Sequence, residues 1–186
     1  MNDAAPATDT RVTPRRCEQT AMPGTPDPAL GSDTLTRAVS VVASVAVLAL
    51  PYLFVDRWLP LRVALGSGVV YAVGCLCCWA GARLLTDAFA SGLGDRPVAA
   101  AGLVAVGTVV LAAQAAVPVY GFARYGVVVP LVALAVVTNV LVYTFLLVRG
   151  ETDPLGLYAL FFGPALVVGL ALLAGLELGV RRLLLA

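Results

Sequence analysis

The chain has 186 residues, of which 60% are hydrophobic and only 12% charged, and its formal net charge is +1. A soluble domain is typically about half apolar and about a quarter charged, so this composition excludes an ordinary water-soluble globule and a strongly basic nucleic-acid-binding protein. The sequence contains no His, which removes the commonest general base and the commonest zinc ligand. We therefore expect an all-α integral membrane protein whose partner is the lipid bilayer and not a nucleic acid.

Residues 1–35 differ sharply in composition from the rest of the chain. They are rich in Ala, Pro, Thr and Asp and have almost no large apolar side chains. Such a segment buries too little surface to offset the entropy of ordering it. We predict a disordered polar tail over residues 1–35 and a membrane domain over residues 36–186. The alternative for the tail is a short docking segment.

Five apolar runs of membrane-spanning length follow the tail. About 20 helical residues at 1.5 Å each cross a hydrocarbon core of roughly 30 Å. Charged residues stand at the ends of the runs, as Arg37 does before the first. The sequence therefore predicts a bundle of five transmembrane helices, at about residues 38–55, 63–82, 98–120, 125–148 and 155–176. Because the chain stays apolar after residue 176, its last ten residues either extend the fifth span or lie on the membrane surface.

Proline residues stand where several of these runs begin. Pro97 follows Asp95 by two residues, Pro154 directly follows Asp153, and Pro60 precedes the second run. Proline at the first turn of a helix loses no hydrogen bond, and an acidic residue beside it can cap the free N–H groups. These residues are therefore expected to start three of the helices.

The charged residues lie at or beyond the ends of the runs and not near their centres. Ionisable groups within a membrane usually mark ion or proton pathways, so this placement argues against charge-coupled transport. Glu177 is the carboxylate nearest to a span, and it precedes Arg181 by four residues. We expect these two residues to form an ion pair at the membrane interface.

Gln114 and Asn139 are the strongest neutral polar residues within the predicted spans. Their depths in straight helices differ by about 12 Å at 1.5 Å per residue, which is too far for a direct bond. Each is therefore expected to bond to a carbonyl or hydroxyl group on another helix, at a gain on the order of 1 kcal/mol. The alternative is that both line a substrate path.

Cys75 and Cys78 share one face of the second run. Two thiolates can hold Cu(I), but no Met or His is available nearby to complete the ligand set. We expect the two cysteines to pack against another helix as part of a stripe of small residues with Ser67, Tyr71 and Gly74. No metal or other cofactor is predicted.

Two further features concern the fifth run. Pro164 lies within it, directly after Gly163, and is expected to kink the helix. Gly175 and Gly179 form a GxxxG pattern, which can allow close approach of another helix.

The sequence contains no P-loop, no nucleophile elbow and no paired carboxylates at catalytic spacing, so we do not expect an enzyme. Our first hypothesis is a multi-pass protein of the cell membrane that acts as a structural or accessory component, with other membrane subunits or as a homo-oligomer. The alternative is a small permease or transporter subunit for a neutral or lipophilic solute. A polar cavity at Gln114 and Asn139 would favour transport, whereas a filled interior would favour the accessory role.

Overall fold

The computed structural model describes residues 27–54, 59–86, 97–148 and 154–185. This part of the chain folds into five helices, which we number α1 to α5: α1 is Asp33–Phe54, α2 is Pro60–Leu85, α3 is Pro97–Tyr125 and α4 is Val129–Phe145. Helix α5 consists of three consecutive segments: an α-helical turn at Pro154–Leu157, a π-helical turn at Tyr158–Phe162 and a long α-helix at Gly163–Leu185. Two short strands, β1 at Asp27–Pro28 and β2 at Leu147–Val148, pair in antiparallel orientation. The predicted helical architecture is thus confirmed.

Three of the described helices are long and apolar enough to cross a membrane. They are Pro60–Leu85, Val98–Tyr125 and Pro154–Leu184, which correspond to α2, α3 and α5. Helix α4 is also apolar but has 17 residues, a length of about 25 Å at 1.5 Å per residue.

Proline begins three of the helices, at the positions that the sequence predicts. Pro60, Pro97 and Pro154 are the first residues of α2, α3 and α5. Their missing N–H groups cost nothing there, because the first four N–H groups of a helix have no acceptor within it. The predicted capping residues Asp95 and Asp153 lie outside the described residues.

The predicted disordered tail is too long at its C-terminal end. Residues 27–30 lie against the end of α4 and the strand β2 that follows it, and α1 already begins at Asp33. The Ala29 N–H donates to the Leu146 carbonyl at 2.9 Å, and both Ala29 and Leu30 pack against a small buried apolar cluster. These contacts supply the hydrogen bonds and burial that composition alone did not reveal. Residues 1–26 lie outside the described part of the chain.

The helices pack in pairs around a common interior. Helix α2 lies along α3, α1 lies mainly against α4, and α5 packs on both α3 and α4. The α2–α3 contact is close because Gly68 lies at the crossing. A Cβ atom at this position would lie 2.6 Å from the Ala112 carbonyl oxygen. Only glycine fits this backbone separation without displacing α3.

The outer faces of all five helices carry exposed, large apolar side chains. Each of the following side chains is at least half exposed: Val42 in α1, Val70 in α2, Val109 in α3, Val136 in α4 and Leu172 in α5. Soluble monomers rarely expose contiguous apolar surface on this scale. Buried polar side chains are found in the interior at the same time, among them Gln114 and Thr138.

The effect of Pro164 is a π-helical turn on its N-terminal side. The Gly163 N–H donates to the Tyr158 carbonyl, five residues earlier. Proline has no N–H and its ring crowds the carbonyl four residues before it, and a widened turn accommodates both constraints. A Cβ atom at Gly163 would collide with the Val110 side chain, so glycine also allows α5 to approach α3 here.

Candidate functional site

A buried cluster of polar side chains joins three helices in the middle of the bundle. The Tyr71 hydroxyl of α2 lies 3.1 Å from the Thr138 hydroxyl of α4. The Gln114 side-chain amide of α3 donates to the Tyr71 hydroxyl at 3.4 Å. Gln114 and Thr138 are almost completely buried, and only 4% of Tyr71 is exposed. We call Tyr71, Gln114 and Thr138 the polar cluster.

The hydrogen bonds of the polar cluster all run in one direction. The Thr138 hydroxyl donates to the Leu134 carbonyl of its own helix at 2.7 Å. Since a hydroxyl has one hydrogen, Thr138 must accept from Tyr71, and Tyr71 must accept from Gln114. This requirement places the amide nitrogen of Gln114 towards Tyr71 and directs its Oε1 atom elsewhere.

Large apolar side chains surround the polar cluster. Leu111, Leu134, Phe145 and Leu155 are almost fully buried there, together with Cys75 of α2 and Tyr158 of α5. The Tyr158 ring meets the Phe145 ring edge-on, with 6.0 Å between the ring centroids. This packing places the polar cluster in an environment of low dielectric constant, where each hydrogen bond is strong and each unpaired polar atom is costly.

Asn139 lies at a different interface from Gln114. Its side-chain amide donates to the Ser40 hydroxyl of α1 at 3.3 Å. Thr36, Ser40 and Ser44 are buried in α1 at intervals of four residues, which places them on one helix face. Thr36 donates to the carbonyl of Ser32, just before α1, and Ser40 and Ser44 donate to carbonyls within α1. The Ser40 oxygen is therefore free to accept from Asn139. Adjacent residues 138 and 139 thus point to two different neighbours of α4.

Glu177 has a larger set of contacts than the sequence indicated. It forms the expected ion pair with Arg181. Its two carboxylate oxygens also accept hydrogen bonds from the Val128 N–H at 3.1 Å and the Val129 N–H at 2.8 Å. These N–H groups lie at the start of α4, where the helix dipole favours a negative charge. Glu177 therefore caps α4 from α5.

The predicted packing stripe of small residues on α2 is only partly confirmed. Ser67, Tyr71 and Cys75 lie on the buried face of α2, and Cys78 is half-buried beside another cluster. Gly74, however, is exposed, and a Cβ atom built there would meet nothing within 4 Å. It is rotated about 100° from Cys75 and so faces away from α3. The glycine that does allow close approach is Gly68.

Two predicted features of α5 lie away from the polar cluster. Pro164 is exposed and lies directly after the π-helical turn. Gly175 and Gly179 would have no neighbour within 4 Å of an added Cβ atom, so the GxxxG pattern makes no close contact among the described residues.

Three residues of these contacts were not predicted from the sequence: Thr138, Ser40 and Tyr158. Hydroxyl groups are common within apolar helices because they can bond to their own backbone, so their presence alone carries little information. A usable signal was the adjacency of Thr138 to Asn139, since two consecutive polar residues in an apolar run must face two different surfaces of the helix.

Comparison with known proteins identifies no relative of this chain: no protein-family model, no curated protein and no solved structure matches it.

Proposed function

We propose that this chain is a multi-pass protein of the cell membrane with five membrane-spanning helices, and that it acts as a non-enzymatic structural or accessory component. The distribution of polarity supports the membrane location. Apolar side chains cover the outside of every helix, while hydroxyl and amide side chains lie inside and bond to one another. This arrangement suits a hydrocarbon solvent, in which polar groups must find partners within the protein.

The burial of Gln114 is the observation that best supports an accessory role over transport. Its side chain has no solvent exposure, its amide is bonded to Tyr71, and large apolar residues fill the surroundings. Gln114 bonds to α2 and Asn139 bonds to α1, and these separate interfaces favour helix packing over a shared substrate path. A protein that supports other membrane subunits, or that assembles with its own copies, needs a stably packed interior.

Cysteine labelling tests this proposal in intact membranes. In a background where all four native cysteines are replaced by Ala, Gln114→Cys should resist a membrane-impermeant maleimide added from either side. Leu59→Cys, before α2, is the labelled control, and Val109→Cys, on the outer face of α3, is the unlabelled control. Labelling of Gln114→Cys in the folded protein would contradict a closed interior and favour the alternative, a small permease for a neutral or lipophilic solute.

The five-span count has its own test. The short helix α4 needs only a few flanking apolar residues, such as Val127, Val128 and Leu146, to reach the thickness of the hydrocarbon core. Five spans place the two chain termini on opposite sides of the membrane. Reporter fusions at each terminus should therefore report opposite compartments, and termini on the same side would refute the count.

A further inference from the structure

Two buried polar atoms near the polar cluster have no hydrogen-bond partner among the described residues. They are the Oε1 atom of Gln114 and the hydroxyl of Tyr158. A buried donor or acceptor that stays unpaired destabilises the folded state, so such atoms usually have a partner such as an ordered water molecule.

Both atoms lie in the region where the helices α2, α3, α4 and α5 meet. Gln114 bonds to Tyr71, and Tyr71 packs with Tyr158 and Cys75 in the same buried apolar cluster. The direction of the bonds in the polar cluster turns Gln114 Oε1 away from Tyr71. Tyr158 is the first residue of the π-helical turn, and this kind of turn is often found at functional sites.

The two atoms are chemically complementary to one ligand. An amide oxygen only accepts hydrogen bonds, whereas a phenol hydroxyl can donate one. A molecule that donates to the first and accepts from the second satisfies both, and a water molecule does so in the smallest volume. The surrounding side chains include Phe145, Leu111 and Leu155, which are large and fully buried, and this favours a ligand of this size.

We propose that a single internal water molecule binds between Gln114 and Tyr158, donating to the Gln114 Oε1 atom and accepting from the Tyr158 hydroxyl. The hydrogen bonds then form one directed series from Tyr158 through the water to Gln114, Tyr71, Thr138 and the Leu134 carbonyl. This series connects α5, α3, α2 and α4. The π-helical turn is thereby tied to the centre of the bundle through hydrogen bonds as well as through apolar packing.

A double-mutant cycle on the full chain tests the water site. Tyr158→Phe removes one partner of the water and should speed unfolding about fivefold, the effect of one lost hydrogen bond within a helix bundle. In the Gln114→Leu background, the same change should have little effect. Tyr52→Phe, at an exposed tyrosine, is the matched control and should leave the rate unchanged. Strictly additive effects, or Tyr158→Phe unfolding no faster than the unmodified protein, would overturn the proposal.

A second measurement does not depend on the Gln114→Leu variant folding. The chain has only two glutamines, Gln19 and Gln114, so a Gln19→Asn variant labelled on glutamine gives a single side-chain signal. Solid-state NMR in lipid bilayers should show magnetisation transfer from water to the Gln114 carboxamide, and Tyr158→Phe should abolish or strongly reduce it. Absence of this transfer in the protein that retains Tyr158, or transfer unchanged by Tyr158→Phe, would refute the water site.

Discussion

The polar cluster and the Glu177 cap both join helices through hydrogen bonds, but they do so in different environments. Tyr71, Gln114 and Thr138 are neutral and buried among apolar side chains. Glu177 and Arg181 are charged and lie near the C-terminal end of α5, where 44% of the Arg181 side chain is exposed. The inner contacts therefore depend on exclusion of bulk solvent, whereas the outer contact depends on charge that solvent and salt can screen. Helix α4 is thus held at its middle by buried neutral hydrogen bonds and at its start by a charged cap.

The largest expected effect concerns the close α2–α3 packing at Gly68, three residues before Tyr71 of the polar cluster. Gly68→Val places a side chain against the Ala112 backbone of α3, where a Cβ atom would already lie 2.6 Å from the carbonyl oxygen. We expect a loss of about 3 kcal/mol or more of stability, measured by unfolding in detergent with circular dichroism. Gly66→Val is the matched control because nothing lies within 4 Å of its Cβ position. Equal stability of the two variants would contradict the close α2–α3 contact.

The next largest effect is expected within the polar cluster itself. Tyr71→Phe removes the hydroxyl that accepts from Gln114 and donates to Thr138, so it leaves the buried Gln114 amide without its partner. We expect a loss of about 1–2 kcal/mol, measured by the same unfolding assay. High salt should leave the size of this loss unchanged, because no charge is involved. A neutral effect would show that the three side chains are not bonded as described.

A smaller effect, sensitive to salt, is expected at the Glu177 cap. Glu177→Gln keeps the shape of the side chain but removes the charge that pairs with Arg181 and the start of α4. We expect a loss of about 1 kcal/mol at low ionic strength and a smaller loss in 1 M NaCl, where the Debye length is about 3 Å. Arg182→Gln, a change at the neighbouring exposed arginine, is the control. A loss that salt does not reduce would contradict an electrostatic cap.

The smallest effect is expected at Tyr143, where the chemical change is the same as in Tyr71→Phe. The Tyr143 hydroxyl donates to Asp33 at 2.8 Å in an exposed setting, and Asp33 also pairs with Arg37. Water can replace this bond, so Tyr143→Phe should leave the unfolding midpoint unchanged within error. If Tyr143→Phe destabilised the protein as much as Tyr71→Phe, burial would not be the factor that separates the two regions.

Much of the fold could be predicted from local sequence patterns. Runs of apolar residues predicted five helices, and prolines at positions 60, 97 and 154 predicted where three of them begin. The end of the tail was placed wrongly because the order of residues 27–30 comes from contacts with residues at the distant end of α4 and in β2. The composition of a segment shows how much apolar surface the segment has to bury. It does not show which distant segment packs against that surface.

The candidate site could be predicted only in part. Gln114, Asn139 and Glu177 were singled out because polar residues are rare in apolar runs, but their partners Tyr71, Ser40 and the start of α4 were not paired with them in advance. The choice of partner depends on how each helix is rotated about its axis. Gly74 illustrates this point, since a rotation of about 100° from Cys75 takes it from the predicted packing face to the surface.

Local sequence patterns were enough to predict which segments are helical, where proline starts them and which rare polar groups lie among apolar ones, because these properties follow from neighbouring residues. The packed helices were needed to see that Gln114 and Asn139 lie at different interfaces, that Gly68 and not Gly74 lies at the close crossing, and that Glu177 caps α4. These outcomes depend on the rotation and pairing of helices distant in the chain. The rotation and pairing of the helices follow from the packing of all side chains together. No single run of residues carries the information on that packing.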